Sequence, residues 1–306
     1  MKKYLLLAPL VLLSFIGIAQ HSVRLDDIQY HFTNADLCRK AMTPWELVFK
    51  ARQIHDLHQR EVATERMMLN PNEPTVQFKH VEGITPLANA TQEPPVSYGL
   101  YWLAVSTKNL RKSVAELVKL GCRIAQNDLQ LPLDQASKAV LLTTPDGQHL
   151  ALVQREELRN TFDIDHVQLM VRHLEASIQF FENLLGAQVI RKQDRSACLQ
   201  VGNQQLMLSE PEALGLLREE VTLVEKVTLA NAGASLGFLC DDLEPIYYAT
   251  KANHLSMLLE PKNRIESDAS YISCVVLSPD NLPIELKEED DRDWKNKTVK
   301  RTMRLK

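Results

Sequence analysis

The stretch Phe162 to Val171, FDIDHVQLMV, sets His166 at the head of a run in which polar and apolar side chains alternate. An imidazole so placed can hold a divalent metal ion and, through it, polarise a substrate oxygen. A firmly held catalytic ion needs about three protein ligands, so the chain must bring carboxylates or further imidazoles to the same spot. Other chemistry is thinly supplied. His55 and His58 lie in Gln53-Ile-His-Asp-Leu-His58, which alternates as a strand and would send the two rings to opposite faces. Cys38, Cys122, Cys198, Cys240 and Cys274 are odd in number, form no CxxC and sit among apolar neighbours, so they read as small buried hydrophobes rather than zinc ligands or a disulfide framework. Gly233-Ala-Ser-Leu-Gly237 matches GxSxG, but it lies at the start of an alternating run rather than at a sharp turn into a helix, so it gives little support for a nucleophilic serine. No phosphate-loop or dinucleotide-type glycine pattern is present, which removes the usual support for phosphoryl-transfer enzymes.

Composition bounds the remaining classes. The chain has 306 residues, 45% hydrophobic and 24% charged, enough for one large or two smaller globular domains. A formal net charge of −4 provides no basic surface for a phosphate backbone, so nucleic acid is not an expected partner. Lys2 and Lys3 precede an apolar run from Leu5 to Ile18, with Gly17 and Ala19 placed as signal peptidase requires. Residues 1–20 are therefore read as a cleaved signal peptide that sends the chain out of the cytosol, to a bacterial periplasm. The run is shorter than the roughly 20 residues of a spanning helix, so no stable membrane span is expected after cleavage.

The elements that must position His166 recur four times. Opening strands stand at Asp27–Phe32, Leu100–Val105, His166–Val171 and Ser235–Cys240. Closing strands centre on Gln77, Ala151, Met207 and Glu285, which lie 50, 51, 41 and 50 residues downstream of the opening positions. Pro71-Asn72, Pro145-Asp146-Gly147 and Pro279-Asp280-Asn281 set three of the final hairpins, and Gly202-Asn203 sets the other. Leu174, Ile178, Phe181 and Leu185 mark a helix ended by Gly186, and Leu110, Val114 and Leu117 mark another ended by Gly121. Pro44 shortens the expected helix of the first repeat, and that of the fourth, from Glu244 to about Leu259, is less regular.

Carried by Asp165-His-Val-Gln-Leu-Met-Val171, Leu174-Glu-Ala-Ser177, Phe180-Phe181, Leu185-Gly186 and the two Pro-Asp endings, residues 22–289 resemble the vicinal oxygen chelate (VOC) superfamily of glyoxalases, bleomycin-resistance proteins and type I extradiol dioxygenases. The resemblance implies an α+β fold of four βαβββ modules paired into two cups. We expect residues 22–157 (modules 1 and 2) to form a first, non-catalytic VOC domain. Residues 158–290 (modules 3 and 4) would form the second, with the candidate active cup, and 291–306 a charged tail. Residues 84–97 would link the first pair of modules, and 214–233, with a further helix, the second.

In this superfamily metal ligands come from the first residue of each opening strand and the middle of each closing strand. Carried over, the second cup offers His166, Met207, Ser235 and Glu285, and the first Asp27, Gln77, Leu100 and Ala151. His166 and Glu285 are the expected ligands of iron, manganese or zinc, if any metal is held, and Gln168, Ser235 and Met207 the expected ligand-binding residues. This supports a metal-dependent dioxygenase or lyase acting on a small molecule. The alternatives are a metal-free binding protein of the bleomycin-resistance type and a scaffold whose cups are filled by side chains. In the blander reading His166 is bonded to Gln168 or a backbone carbonyl, and Glu285 is paired with Lys287 or solvent. A homodimer is compatible with any of these.

Overall fold

The computed structural model describes residues 22–289 except 33, 56–61, 72, 82–95, 135, 226, 228–232 and 267–268. The expected signal peptide, the charged tail, His58 and most of the 84–97 linker lie outside these residues.

Module 1 contributes β1 (Val23–Phe32), α1 (Ala35–Leu47), β2 (Arg52–His55), β3 (Val62–Met68) and β4 (Thr75–Val81). Module 2 contributes β5 (Gly99–Thr107), α2 (Leu110–Lys119), β6 (Arg123–Gln126), β7 (Ala139–Thr143) and β8 (His149–Gln154). Module 3 contributes β9 (Phe162–Met170), α3 (Leu174–Leu185), β10 (Gln188–Gln193), β11 (Ser196–Val201) and β12 (Gln204–Ser209). Module 4 contributes β13 (Ala234–Cys240), α4 (Leu243–Ala252), β14 (Met257–Glu266), β15 (Ala269–Leu277) and β16 (Pro283–Glu289). The four βαβββ repeats of the sequence are thus formed. Pro44 does not stop α1: it falls in the last turn, where its carbonyl accepts from the amides of Val48 and Phe49. Asn34 caps the other end by accepting from the amides of Asp36 and Leu37. In place of the helix expected within 214–233 are short 3-10 turns at Pro211–Leu214 and Arg218–Glu220.

The pairing of modules departs from expectation. The strands form two eight-stranded sheets, in the orders β14-β15-β16-β13-β1-β4-β3-β2 and β10-β11-β12-β9-β5-β8-β7-β6. Module 1 pairs with module 4 through antiparallel β1 and β13, and module 2 pairs with module 3 through antiparallel β5 and β9. The division into cups at 22–157 and 158–290 is therefore corrected. The chain builds its first module, completes a whole second cup, and returns to finish the first.

Alternation then sorts the side chains. Ile28, Tyr30 and Phe32 face the helices with Val76 and Phe78, as do Val167, Leu169 and Val171 in the other sheet. These faces and the inner sides of the helices share one hydrophobic core, in which Phe49 of module 1 meets Phe162 of module 3 edge-on at 5.1 Å between ring centroids. Asp280, in the turn before β16, accepts from the amide and guanidinium of Arg172 and the hydroxyl of Ser177, tying module 4 to module 3 across the two sheets. The opposite face of each sheet lines a cup.

Candidate functional site

Pairing modules 1 and 4 brings Asp27, Gln77, Ser235 and Glu285 to one cup, and pairing 2 and 3 brings Leu100, Ala151, His166 and Met207 to the other. Every oxygen donor among the eight positions thus falls in one cup. His166 and Glu285, expected to share an ion, lie in different sheets, which corrects that ligand pair. Ser235 is likewise separated from Gln168 and Met207.

In the cup of modules 1 and 4, buried polar side chains form a layer on the sheet: Asp27, Gln29, Gln77, Ser235, Glu285 and Lys287 are each 0–3% exposed. Gln29 is the hub. Its Nε2 donates to Asp27 Oδ1 (2.6 Å) and Glu285 Oε2 (2.8 Å), and its Oε1 accepts from Lys79 Nζ (2.8 Å) and Ser235 Oγ (3.0 Å). With Ser235 donating to Gln29, His31 Nε2, 3.0 Å from Ser235 Oγ, is the donor in that bond. Lys287 Nζ is bonded to Asp27 Oδ2 and lies 3.1 Å from Asp26 Oδ2, and Gln77 Nε2 donates to Asp27 Oδ2 at 2.9 Å. Arg66 Nη2 is 3.8 Å from Asp26 and 4.0 Å from Asp27. Burial pushes the Asp27 carboxyl up, but Lys287, then Lys79 and Arg66, outweigh it and hold it below the usual range. Asp26, raised chiefly by burial and further by Asp27, goes the other way.

The backbone is shaped to this arrangement. β1 carries a bulge between Leu25 and Asp27, which re-aims the strand just before the carboxylate. Opposite Asp27 stands Gly237, where an added Cβ would come within 2.7 Å of Asp27 Cγ and closer still to Oδ1. The carboxylate lies on the space that the missing side chain leaves. A glycine in the middle of Ser235-Leu-Gly-Phe-Leu-Cys240 was the visible sign of such a close approach. Glu285 is placed by parallel pairing with Gly237, and Lys287 two residues on shares its face.

The cup of modules 2 and 3 is filled with apolar side chains. The segment between β6 and β7 inserts Leu129 and Leu131 against Trp102, Ala104, Ala139, Leu141, Ala151 and Val153, and Leu133 against Cys198 and Met207. His166, 3% exposed, is engaged at both nitrogens. Trp102 Nε1 lies 3.3 Å from Nε2, and because an indole N–H only donates, Nε2 accepts. Nδ1, 2.8 Å from Asp165 Oδ1, then carries the proton and donates. Asp165 also accepts from Ser106 Oγ at 2.6 Å and from Arg155 Nε at 2.8 Å. Burial raises its carboxyl, but these donors, His166 foremost, outweigh it and hold it well below the usual carboxylate range. Gln168 Nε2 donates to the carbonyls of Leu169 and Met207, each at 3.0 Å, which joins β9 to β12. The sequence missed the partners of His166, since Asp165 is its neighbour and Trp102 comes from another module.

The donors present decide whether a metal fits. In the polar cup the carboxylate oxygens of Asp27 accept from an ammonium and two amides, Gln77 turns its nitrogen toward them, and Glu285 shares an amide donor. In the apolar cup both nitrogens of the imidazole are taken. Neither set fits a resident divalent ion, and among the described residues no three His, Cys, Asp or Glu are grouped to hold one. No described helix is long and apolar enough to cross a membrane.

Residues 163–286 match the family model Glyoxalase/Bleomycin resistance protein/Dioxygenase superfamily. Glyoxalase I from Zea mays superimposes with a TM-score of 0.65 at 16% identity, covering 90% of this chain and 95% of that one. A mutant form of the same maize protein gives a TM-score of 0.66 at 17% identity, with the same coverages. A candidate dioxygenase from Bacillus subtilis gives 0.61 at 12% identity, covering 89% and 86%. At such identities the likeness is one of fold. No curated protein matches the sequence.

Proposed function

We propose, from the family-model match over residues 163–286 and the shared fold, that this chain of the glyoxalase, bleomycin-resistance and dioxygenase type is a small-molecule-binding protein that recognises its ligand in the cup of modules 1 and 4 without a resident metal ion. The observation that carries this reading is the Lys287 ammonium on Asp27, at a position where the superfamily places a metal ligand. The ligand meets the half-buried layer around the buried one, where His31, Lys79, Asp26 and Tyr271 offer hydrogen-bonding and charged groups beside an aromatic ring. Each residue has a role within the protein: Gln29 and Gly237 fix the carboxylate, Lys287 neutralises it, and Lys79 and His31 are oriented by Gln29 and Ser235. The metal-dependent dioxygenase or lyase expected in the second cup loses its support, because its two ligands belong to different cups and no step can be routed through them.

We further propose that the mature protein is exported. That rests on Lys2, Lys3 and the apolar run to Ile18. The test of the main reading is a calorimetric and thermal-shift screen of small oxygenated and aromatic compounds. Saturable binding should be weakened by His31→Ala or Lys79→Ala and kept in His166→Ala. Binding lost only in His166→Ala would return the site to the cup of modules 2 and 3.

A further inference from the structure

Three carboxylates are strung together in the polar cup by Lys287 and Gln29, without forming a ready-made ion site among the described residues. Asp27 is wholly buried, Glu285 is 3% exposed and tied to Asp27 through one amide group, and Asp26 is reached by the same lysine. A buried cluster of acids needs cations, because an unpaired carboxylate in a low-dielectric site costs several kcal/mol. Lys287 supplies the nearest one: it is 1% exposed, its Nζ is bonded to both Asp26 and Asp27, and it lies 5.8 Å from the Tyr271 ring centroid. Arg66 stands further off, at 3.8 and 4.0 Å, and Lys79 touches Gln29 rather than a carboxylate.

Two buried oxygens near the cluster are not bonded to the ammonium and stay open as acceptors. Gln77 Oε1 and Ser273 Oγ are buried with no hydrogen-bond partner among the described residues, and Ser273 sits opposite Lys287 in the antiparallel register of β15 and β16. Gln77 already spends its nitrogen on Asp27, so its oxygen remains as an acceptor beside the cluster. Oxygen ligands of this kind, with the carboxylates of Asp27 and Glu285, are what a hard divalent cation such as Mn2+ prefers.

We propose that Lys287 is the permanent cation of this cup, a covalently attached ammonium that neutralises Asp26 and Asp27 and thereby excludes divalent ions. The inference rests on the reading that the cup works without a resident metal, and adds that one side chain decides the matter. Replacing Lys287 by a neutral residue leaves the carboxylates without their nearest counter-charge and turns the cup into a divalent-cation site.

The test compares wild type, Lys287→Ala and Asp27→Asn/Lys287→Ala by thermal melting and calorimetric titration with Mn2+ alone, after treatment with a chelator. Wild type should be indifferent to Mn2+. Lys287→Ala should melt earlier without the ion and be restored as Mn2+ is added, binding it about tenfold or more tighter than wild type does. The double variant, which removes one charge of each sign, should fold without the ion and lose the response. A Lys287→Ala chain that Mn2+ neither stabilises nor rescues, with wild type metal-free, overturns the role given to Lys287 and leaves the metal-free reading standing. Tight Mn2+ binding by wild type, lost in Asp27→Asn, overturns both.

Discussion

Gly237→Ala is a one-carbon change whose consequence depends on a residue in a different module. The new Cβ would overlap the Asp27 carboxylate, so either the carboxylate leaves Lys287, Gln29 and Gln77 or the two strands separate. Removing one partner of a buried ion pair costs about 3–5 kcal/mol, because the other charge stays buried and uncompensated. Against this, alanine gains roughly 0.5–1 kcal/mol over glycine in a strand interior, and Gly237 needs no left-handed backbone that alanine would resist. The expected net loss in wild type is about 3 kcal/mol, a sizeable part of a typical domain stability of about 5–15 kcal/mol. Urea denaturation followed by intrinsic fluorescence, with the slope held common, measures it. In an Asp27→Ala/Lys287→Met background the obstructing carboxylate is gone, and the same substitution should be neutral or slightly stabilising. A wild-type cost under about 1 kcal/mol, or an equal cost in both backgrounds, would refute the close-approach argument.

Glu73, in the turn before β4, is pushed up to about 7, first by burial and also by Asp163. Its folded value exceeds its unfolded one, so the native state holds the extra proton, and stability should fall as pH rises from about 4.5 to about 7. Glu73→Gln should flatten that part of the pH–stability curve; an unchanged slope would exclude Glu73 as its source. Leu131→Ala, at a side chain 1% exposed in the apolar cup, should cost about 2–5 kcal/mol by leaving a cavity, and a loss below about 1 kcal/mol would mean that the inserted segment is not packing. Asp280→Ala removes the acceptor shared by Arg172 and Ser177 and should cost about 1.5–3 kcal/mol, with faster hydrogen exchange at the Arg172 amide. Exchange there as slow as in wild type would show that Asp280 does not hold the modules together.

The modules themselves were legible. Alternation in FDIDHVQLMV and its counterparts, Pro-Asp turns and helical spacing are local signals that formed the elements of the four modules, whereas the helix expected within 214–233 did not form and that of the fourth repeat stops at Ala252. Which modules share a sheet was not legible, because that is decided by edges that meet over long separations. β1 pairs with β13, and β5 with β9, through backbone hydrogen bonds that leave no mark on local composition. The error passed directly to the site: His166 and Glu285 were each placed on the cup face of a strand, yet in different cups. Lys287 was visible beside Glu285, but its partners Asp26 and Asp27 come from the other end of the chain. A glycine inside a strand, as at Gly237, marks a close approach without saying to what, and nothing local in Leu129, Leu131 and Leu133 tells a connection from the filling of a cup.

The central claim is that the polar cup is neutralised from within. Elemental mass spectrometry of the purified wild-type protein, before and after incubation with iron, manganese and zinc salts and removal of excess ion, tests it most directly. None of the three should be retained near stoichiometry. One ion retained per chain, and lost in Asp27→Asn or Glu285→Gln, would contradict it.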